Sequence, residues 1–219
     1  MHELIVACVN VGKKYPPVFV DRLYSMVRRH LGYQYEFVCI TDAPRNYEDL
    51  PIRVVAPEKS WPGWWAKFNL FSEACIPAGP HVLFFDLDLV ILNSINCFID
   101  CTVDTMTPPP ILRMLQNFPS GIGHAPHNSS IMAWRQGEAN RVIWKKFTPD
   151  WINRTHGDQE VISQLADEVT EWPTDWALSY KCHFKGRNIV PPPECRVVVF
   201  HGEFGPGDVP EQWAHDAWT

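Results

Sequence analysis

Two carboxylates interrupt a strongly apolar stretch of the sequence, VLFFDLDLVIL at residues 82–92. Nine of its eleven residues are apolar, and the other two are Asp86 and Asp88. Such a run predicts a buried strand, in which alternate side chains point to one face, so the two carboxylates would lie about 6–7 Å apart. Like charges at that distance oppose each other's ionisation, and a divalent cation such as Mn²⁺ or Mg²⁺ relieves the repulsion. The stretch therefore predicts a metal site, with a pair of solvated aspartates as the alternative.

The segments around these aspartates alternate between strand-like and helix-like patterns. Strands are predicted at 4–9, 35–41, 52–55, 82–92, 129–134 and 196–201. Helices are predicted at 17–32, 63–75, 138–147 and 158–169, and proline clusters predict loops at 108–110 and 191–193. This order predicts an α/β fold with a mainly parallel central sheet and helices on both faces. Sheets of this kind bind ligands beyond the carboxyl ends of their strands, which is where the two aspartates are placed.

Composition argues against a nucleic-acid partner and a membrane-spanning segment. The formal net charge is −6 and no run of Lys or Arg exceeds a pair, which argues against nucleic acid. No window of about 18 uncharged apolar residues occurs, so no transmembrane segment is predicted. Seven cysteines without a CxxC pair predict buried reduced thiols and hence a cytoplasmic location. The length of 219 residues predicts one sizeable domain, or at most one domain with a small appendage.

Two enzyme classes carry a DxD motif after an apolar strand. In haloacid-dehalogenase-like phosphatases the pattern DxDx[TV] has a nucleophilic first aspartate, and DLDLV at 86–90 fits it. In nucleotide-sugar glycosyltransferases of the GT-A fold the motif holds a metal on the donor diphosphate. The phosphatase motif normally follows the first strand, but here three predicted strands precede it, and the expected later acidic pair is matched only by HGDQEV, which opens a helix. This favours the transferase, with a phosphatase or a non-catalytic nucleotide-sugar-binding module as alternatives.

The sequence resembles GT-A glycosyltransferases of the family-8 type, which include glycogenin and lipopolysaccharide galactosyltransferases, and its layout is closest to small bacterial or phage-type members. The resemblance extends from about residue 4 to about residue 206. Its blocks are WWAKFNLF, VLFFDLDLVIL, HNSSIMAW with HGDQEVISQL, and VVVFHGEFGP, in the family's order. It implies a single GT-A domain over 1–219, with a nucleotide-binding half at about 1–95 and an acceptor half at about 96–219. It also implies transfer of a hexose from a nucleotide diphosphate sugar, with UDP-hexose as the expected donor, to an unidentified glycan, protein or small-molecule acceptor, with retention of configuration.

The resemblance also implies roles for particular residues. The Mn²⁺ (or Mg²⁺) ligands would be Asp86, Asp88 and His201, with Asp86 also near the ribose. The nucleobase would meet the Asn10 and Val11 backbone and stack on Tyr15. The donor would be reached by Lys67, and its sugar would contact Asn128, Ser129, Asp158 and Gln159, the last lying near the anomeric carbon. Four of these residues have a simpler alternative: Lys67 could extend to water, Asp158 could cap a helix, and Tyr15 and His201 could occupy ordinary loops.

The sequence departs from the family in its last block. The family pattern HxGxxKPW supplies a lysine to the diphosphate, whereas HGEFGPGD at 201–208 has none. Lys67, Lys185 and Arg187 remain as candidates for that contact, and weak donor binding or loss of activity is the alternative.

Overall fold

The computed structural model describes residues 3–103, 112–118, 125–202 and 205–219. Its strands are β1 (Leu4–Asn10), β2 (Glu36–Thr41), β3 (Arg53–Val55), β4 (His81–Phe85), β5 (Leu89–Ile91), β6 (Leu112–Gln116), β7 (His127–Arg135), β8 (Val169–Glu171), β9 (Ala177–Ser179) and β10 (Val197–Val199). Its α-helices are α1 (Val18–His30), α2 (Asn96–Val103), α3 (Glu138–Lys146), α4 (Pro149–Arg154), α5 (Asp158–Leu165) and α6 (Gln212–Ala217). Short 3₁₀ helices span Pro44–Tyr47 and Gly63–Phe71, and a π-helical turn spans Tyr180–Phe184. None of the helices in the described ranges is long and apolar enough to cross a membrane.

The central sheet has seven strands in the order β3-β2-β1-β4-β7-β6-β8. Strands β3, β2, β1 and β4 are parallel, β7 is antiparallel to both β4 and β6, and β6 is parallel to β8. The predicted α/β fold with a mainly parallel sheet is therefore confirmed. A second sheet, with order β5-β10-β9, lies beside it.

Helices cover both faces of the central sheet, and β1 shows why its sequence is continuously apolar. Because strand side chains alternate, Leu4, Val6 and Cys8 pack into one hydrophobic core while Ile5 and Ala7 pack into the other. The first core also holds α1, and the second holds the 3₁₀ helix Gly63–Phe71 and α5. A strand buried on both faces needs apolar side chains at every position, as the sequence LIVACV has.

The prediction of one strand over residues 82–92 is wrong. The chain leaves the central sheet after Phe85, passes through residues 86–88, and enters the second sheet at Leu89. The Asp86 amide donates to the Ser130 carbonyl at 2.8 Å, and the Phe200 amide donates to the Asp88 carbonyl at 2.7 Å, so each sheet holds one end of the link. Both strands are buried, so their residues are equally apolar and the composition does not mark the crossing.

The predicted helix at 63–75 is a 3₁₀ helix that ends at Phe71. Its aromatic residues Trp65, Phe68 and Phe71 are spaced by three, and three residues per turn place them on one side. The predicted helix 158–169 also ends early, at Leu165, and Val169 is the first residue of β8. The other predicted elements agree within a few residues at each end. The proline cluster at 191–193 lies in an irregular segment, and the cluster at 108–110 lies outside the described residues.

Candidate active site

One cavity of about 320 Å³ opens where β1 and β4 end and where the antiparallel β7 begins. Its position is the carboxyl edge of parallel strands, the expected ligand edge of an α/β sheet. Eleven of the residues singled out in the sequence line it, and they come from six separate segments: Asn10, Val11, Tyr15, Lys67, Asp86, Asp88, Asn128, Ser129, Asp158, Gln159 and His201. The fold thus brings these eleven residues to one place, although it does not by itself assign their roles.

A buried lysine forms the centre of this cavity. The Lys67 Nζ lies 3.0 Å from Asp86 Oδ1, 2.7 Å from Asp158 Oδ2 and 3.0 Å from Ser129 Oγ. The Ser129 hydroxyl in turn donates to Asp158 Oδ2 at 2.8 Å. Burial alone would lower the pKa of Lys67, but the carboxylates of Asp158 and Asp86 outweigh it and the net pKa is raised. With 7% of its side chain exposed, Lys67 does not extend to water.

The negative charge around Asp86 is more than one lysine can neutralise. Burial raises the pKa of Asp86 to about 7, Lys67 opposes the rise, and the charges of Asp88 and Asp158 add to it. Its side chain is still 26% exposed, so one side faces the cavity. The group is therefore accessible to a ligand and favours the approach of a further cation.

Asp88 is held by two residues of the loop between β1 and α1. The Tyr15 hydroxyl donates to Asp88 Oδ2 at 2.6 Å, and the Lys14 Nζ lies 3.8 Å from the same oxygen. The Lys14 ammonium also lies 4.5 Å from the centre of the Tyr15 ring. Burial and the adjacent Asp88 carboxylate raise the pKa of Tyr15, so its hydroxyl is the donor of this bond.

His201 follows β10 and reaches the same cavity. Its Nε2 lies 2.6 Å from the Ser179 hydroxyl, and its ring is parallel to that of Phe118, with 5.7 Å between ring centres. Burial and the nearby Lys181 lower the pKa of His201, while the charge of Asp88 opposes this. The imidazole is therefore favoured in its neutral form, which is the form that binds metals.

The three predicted metal ligands are each occupied by protein groups in this conformation. Within the described ranges, no three His, Cys, Asp or Glu side chains are gathered closely enough to hold a metal ion. The donor set nevertheless suits Mn²⁺ or Mg²⁺, because it offers the carboxylates of Asp86 and Asp88 and an imidazole that is favoured in its neutral form. The fit of the metal ion to this site thus rests on the chemistry of Asp86, Asp88 and His201. Metal binding would displace Tyr15 and Lys14 from Asp88.

Two predicted residues at the start of α5 face the cavity. Asp158 is the first residue of the helix and the N-cap position is Gly157, so the alternative in which Asp158 caps the helix is wrong. The Asn128 side-chain amide donates to Gln159 Oε1 at 3.3 Å. Asn10, by contrast, uses its side chain within the protein, donating to the Tyr47 hydroxyl at 2.7 Å and the Tyr15 carbonyl at 3.2 Å.

Sequence reasoning missed two residues with evident chemistry in the cavity wall, Lys14 and Trp64. Their signals were their positions: Lys14 precedes Tyr15, and Trp64 lies one 3₁₀ turn before Lys67. Lys185 and Arg187, proposed from the sequence as phosphate ligands, line a different cleft.

Solved structures of similar shape identify the architecture. A structure of an active-site mutant of LgtC matches with a TM-score of 0.70 and 13% sequence identity, over 97% of this chain and 93% of the LgtC chain. The chain has the GT-A fold of LgtC. The galactosyltransferase LgtC in complex with donor and acceptor sugar analogues matches with a TM-score of 0.66 and 14% identity, over 98% and 95% of the two chains. The glycosyltransferase GlyE of Streptococcus pneumoniae TIGR4 matches with a TM-score of 0.69 and 12% identity, over 92% of this chain and 56% of GlyE. No protein-family model and no curated protein sequence matches the chain.

Proposed function

We propose that this protein is a metal-dependent glycosyltransferase that moves a hexose from a nucleotide diphosphate sugar, with UDP-hexose as the expected donor, to an acceptor. The observation that carries the proposal is the single cavity in which eleven of the candidate residues meet, at the ligand edge of a GT-A fold. The galactosyltransferase LgtC has this architecture and was solved with donor and acceptor sugar analogues. We further propose that the chain is one catalytic domain, with the halves 1–95 and 96–219, and that its reduced thiols reflect a cytoplasmic location.

The nucleotide would occupy the side of the cavity formed by the end of β1. The backbone of Asn10 and Val11 would meet the base, and the Tyr15 ring would stack on it. The side chain of Asn10 holds this loop in shape through Tyr47 and the Tyr15 carbonyl. The diphosphate would then lie beside Asp86 and Asp88.

Asp86, Asp88 and His201 would hold the Mn²⁺ or Mg²⁺. When bound, the metal would supply Lewis-acid neutralisation of the charge on the leaving diphosphate. Lys14 is the cation of this chain best placed to help, because its ammonium is at the cavity wall and its side chain is 63% exposed. Lys67, the other lysine in the wall, already pairs with two carboxylates. Lys14 would therefore fill the role of the lysine that the last sequence block lacks.

The transferred sugar would occupy the side formed by β7 and α5. Asp158 and Ser129 offer acceptors for sugar hydroxyls, and Lys67 fixes the Asp158 carboxylate at 2.7 Å. The Asn128 amide orients the Gln159 side chain, which would lie near the anomeric carbon. Transfer with retention of configuration is the outcome that the family likeness implies.

A phosphatase with Asp86 as nucleophile is the second candidate, because Lys67, Ser129 and Asp158 gather beside that carboxylate. The overall architecture favours the transferase, since the DxD segment follows the fourth strand and links two sheets. The phosphatase hypothesis predicts cleavage of simple aryl phosphates such as p-nitrophenyl phosphate, and the transferase hypothesis predicts no such cleavage.

Calorimetric titration of UDP tests the donor site directly. The protein is titrated with Mn²⁺ present and again with EDTA, alongside Asp88→Ala and the control Asp150→Ala, whose exposed side chain is on α4. We expect binding that requires Mn²⁺, persists in the control and is lost in Asp88→Ala. Absence of UDP binding under every condition would exclude UDP as the nucleotide of the donor.

A further inference from the structure

Trp64 differs from every other tryptophan of the chain in its exposure. Ten tryptophans are present, and Trp64 alone is exposed, at 56% of its surface, while the others are buried or half-buried. Isolated exposed apolar residues are common on proteins. The other large apolar residues that are exposed in the described ranges are Val18, Tyr33, Ile189 and Val190, and none of them lines the active-site cavity. Trp64 does line it.

The backbone that carries Trp64 is held firmly. The next residue, Trp65, is 5% exposed and stacks on the rings of Phe68 and Phe147 at 6.1 and 5.8 Å between ring centres. On the other side, Gly63 has a φ of +56°, a conformation that other residues adopt at a cost. Trp64 thus presents an aromatic surface on a fixed support, and little conformational entropy is lost when a ligand covers it.

The 3₁₀ geometry places Trp64 beside the polar centre of the cavity. With three residues per turn, Trp64 and Lys67 are eclipsed on one side of the helix. The Lys67 ammonium pairs with Asp158, and the adjoining wall carries the Asn128 and Gln159 amides. An aromatic face next to carboxylate and amide groups matches a pyranose ring, which has an apolar C–H face and a rim of hydroxyl groups.

We infer that Trp64 is the stacking platform for the sugar ring of the acceptor, and that the acceptor is therefore a hexopyranoside. The inference rests on the proposed function and extends it, because that proposal leaves the class of acceptor open. The nucleobase of the donor is also planar, but its expected place is at Asn10, Val11 and Tyr15, on another segment of the wall. The acceptor ring would cover Trp64 at the open side of the cavity, facing the donor sugar at Asp158.

Fluorine NMR of protein labelled with 5-fluorotryptophan tests this without requiring turnover. Trp64→Phe identifies the Trp64 resonance by its loss, and the nine remaining tryptophans act as internal controls. The probes are methyl β-D-glucopyranoside, methyl β-D-galactopyranoside, lactose and maltose, each added with Mn²⁺, with and without UDP. We expect at least one glycoside to shift the Trp64 resonance selectively. For that glycoside, Trp64→Ala should weaken binding about tenfold while Trp64→Phe retains most of it, because the phenyl ring preserves a stacking surface.

Three results would overturn the inference: no glycoside moves the Trp64 resonance, UDP alone moves it as much as any glycoside, or Trp64→Ala binds the glycoside as well as wild type does. The second result would place the nucleobase on Trp64. Failure of the proposed function is distinguishable, because it appears as absence of UDP binding in the calorimetric titration, whereas the glycoside shift is recorded without UDP as well.

Discussion

At the scale of single residues, Lys67 shows how the site combines stability with chemistry. A cation buried this deeply is tolerated because the carboxylates of Asp86 and Asp158 lie within 3.0 and 2.7 Å of its ammonium. The same contacts fix the two carboxylates at the cavity wall. Removal of one partner of a buried ion pair leaves the other charges uncompensated, and this costs more than the pair itself contributes.

Replacing Lys67 with methionine should therefore destabilise the protein. The side chain is similar in length, so the loss reflects charge more than volume, and we expect the free energy of unfolding to fall by about 3–5 kcal/mol. Urea denaturation followed by circular dichroism measures the change. Lys59→Met is the control, because Lys59 is exposed, and it should differ from wild type by less than about 0.5 kcal/mol. Equal stability of the two variants would show that the Lys67 ion pairs are not formed as described.

Lys14 and its neighbour Lys13 provide a matched pair for testing phosphate recognition. Both are exposed lysines in one loop, but only Lys14 lines the cavity. We expect Lys14→Ala to weaken UDP binding about fivefold, as for an exposed charge pair of about 1 kcal/mol, and Lys13→Ala to have no effect. The loss should be smaller for UMP, absent for uridine and reduced by added salt, because the contact is to phosphate. Calorimetric titrations with the three ligands measure these changes. Equal affinities of Lys14→Ala and Lys13→Ala for UDP would contradict the assignment of Lys14 to the phosphate.

At the scale of elements, the 3₁₀ helix Gly63–Phe71 determines where Lys67 and Trp64 stand. Its inner side is fixed by an aromatic stack in which the Phe68 and Phe147 rings lie 3.7 Å apart at an angle of 7°. Trp61 meets Phe147 edge-on at 5.2 Å between ring centres. Phe147 is the residue after α3, so this stack joins the 3₁₀ helix to the second half of the chain.

Truncating Phe147 should accordingly be costly. Phe147→Ala removes a 6%-exposed ring from the stack, and we expect a loss of about 3–5 kcal/mol in the free energy of unfolding. Val190→Ala is the control, since Val190 is 73% exposed and should change stability by less than about 0.5 kcal/mol. The stability change of each variant is read from the shift of its denaturation midpoint, provided that the slope of the unfolding curve is unchanged. A loss below about 1 kcal/mol for Phe147→Ala would mean that the stack does not anchor the helix.

The elements also show which structural signals the sequence carries. The first three strands and α1 were predictable, because their apolar runs and amphipathic spacing reflect burial directly. The break between β4 and β5 was not, since strands of two different sheets are equally buried and read as one apolar run. The aromatic residues of segment 63–71 are spaced by three, which is compatible with a 3₁₀ helix. The sequence alone does not reveal this, because the segment is buried along nearly its whole length and shows no polar face.

At the scale of the whole molecule, the site is assembled from residues far apart in the chain. His201 reaches the cavity because β10 pairs with β5, and this pairing places Phe200 opposite Asp88. Asp86 and Asp158 were predictable as candidates because the first follows an apolar strand and the second opens a helix, and Lys67 and Asn128 because they lie in sequence blocks of recognisable order. Lys14 and Trp64 were not, because exposed residues carry no periodic signal and only the three-dimensional structure shows which of them face the cavity.

Cleavage of a nucleotide diphosphate sugar is the most direct test of the central claim. UDP release is measured from UDP-glucose and UDP-galactose with Mn²⁺, for wild type and Asp88→Asn, beside a p-nitrophenyl phosphate assay. Even without an acceptor, transfer to water should release UDP slowly from one of the two donors in wild type, and the release should stop in Asp88→Asn or with EDTA. Release from neither donor, together with metal-dependent cleavage of p-nitrophenyl phosphate, would contradict the account and support the phosphatase alternative.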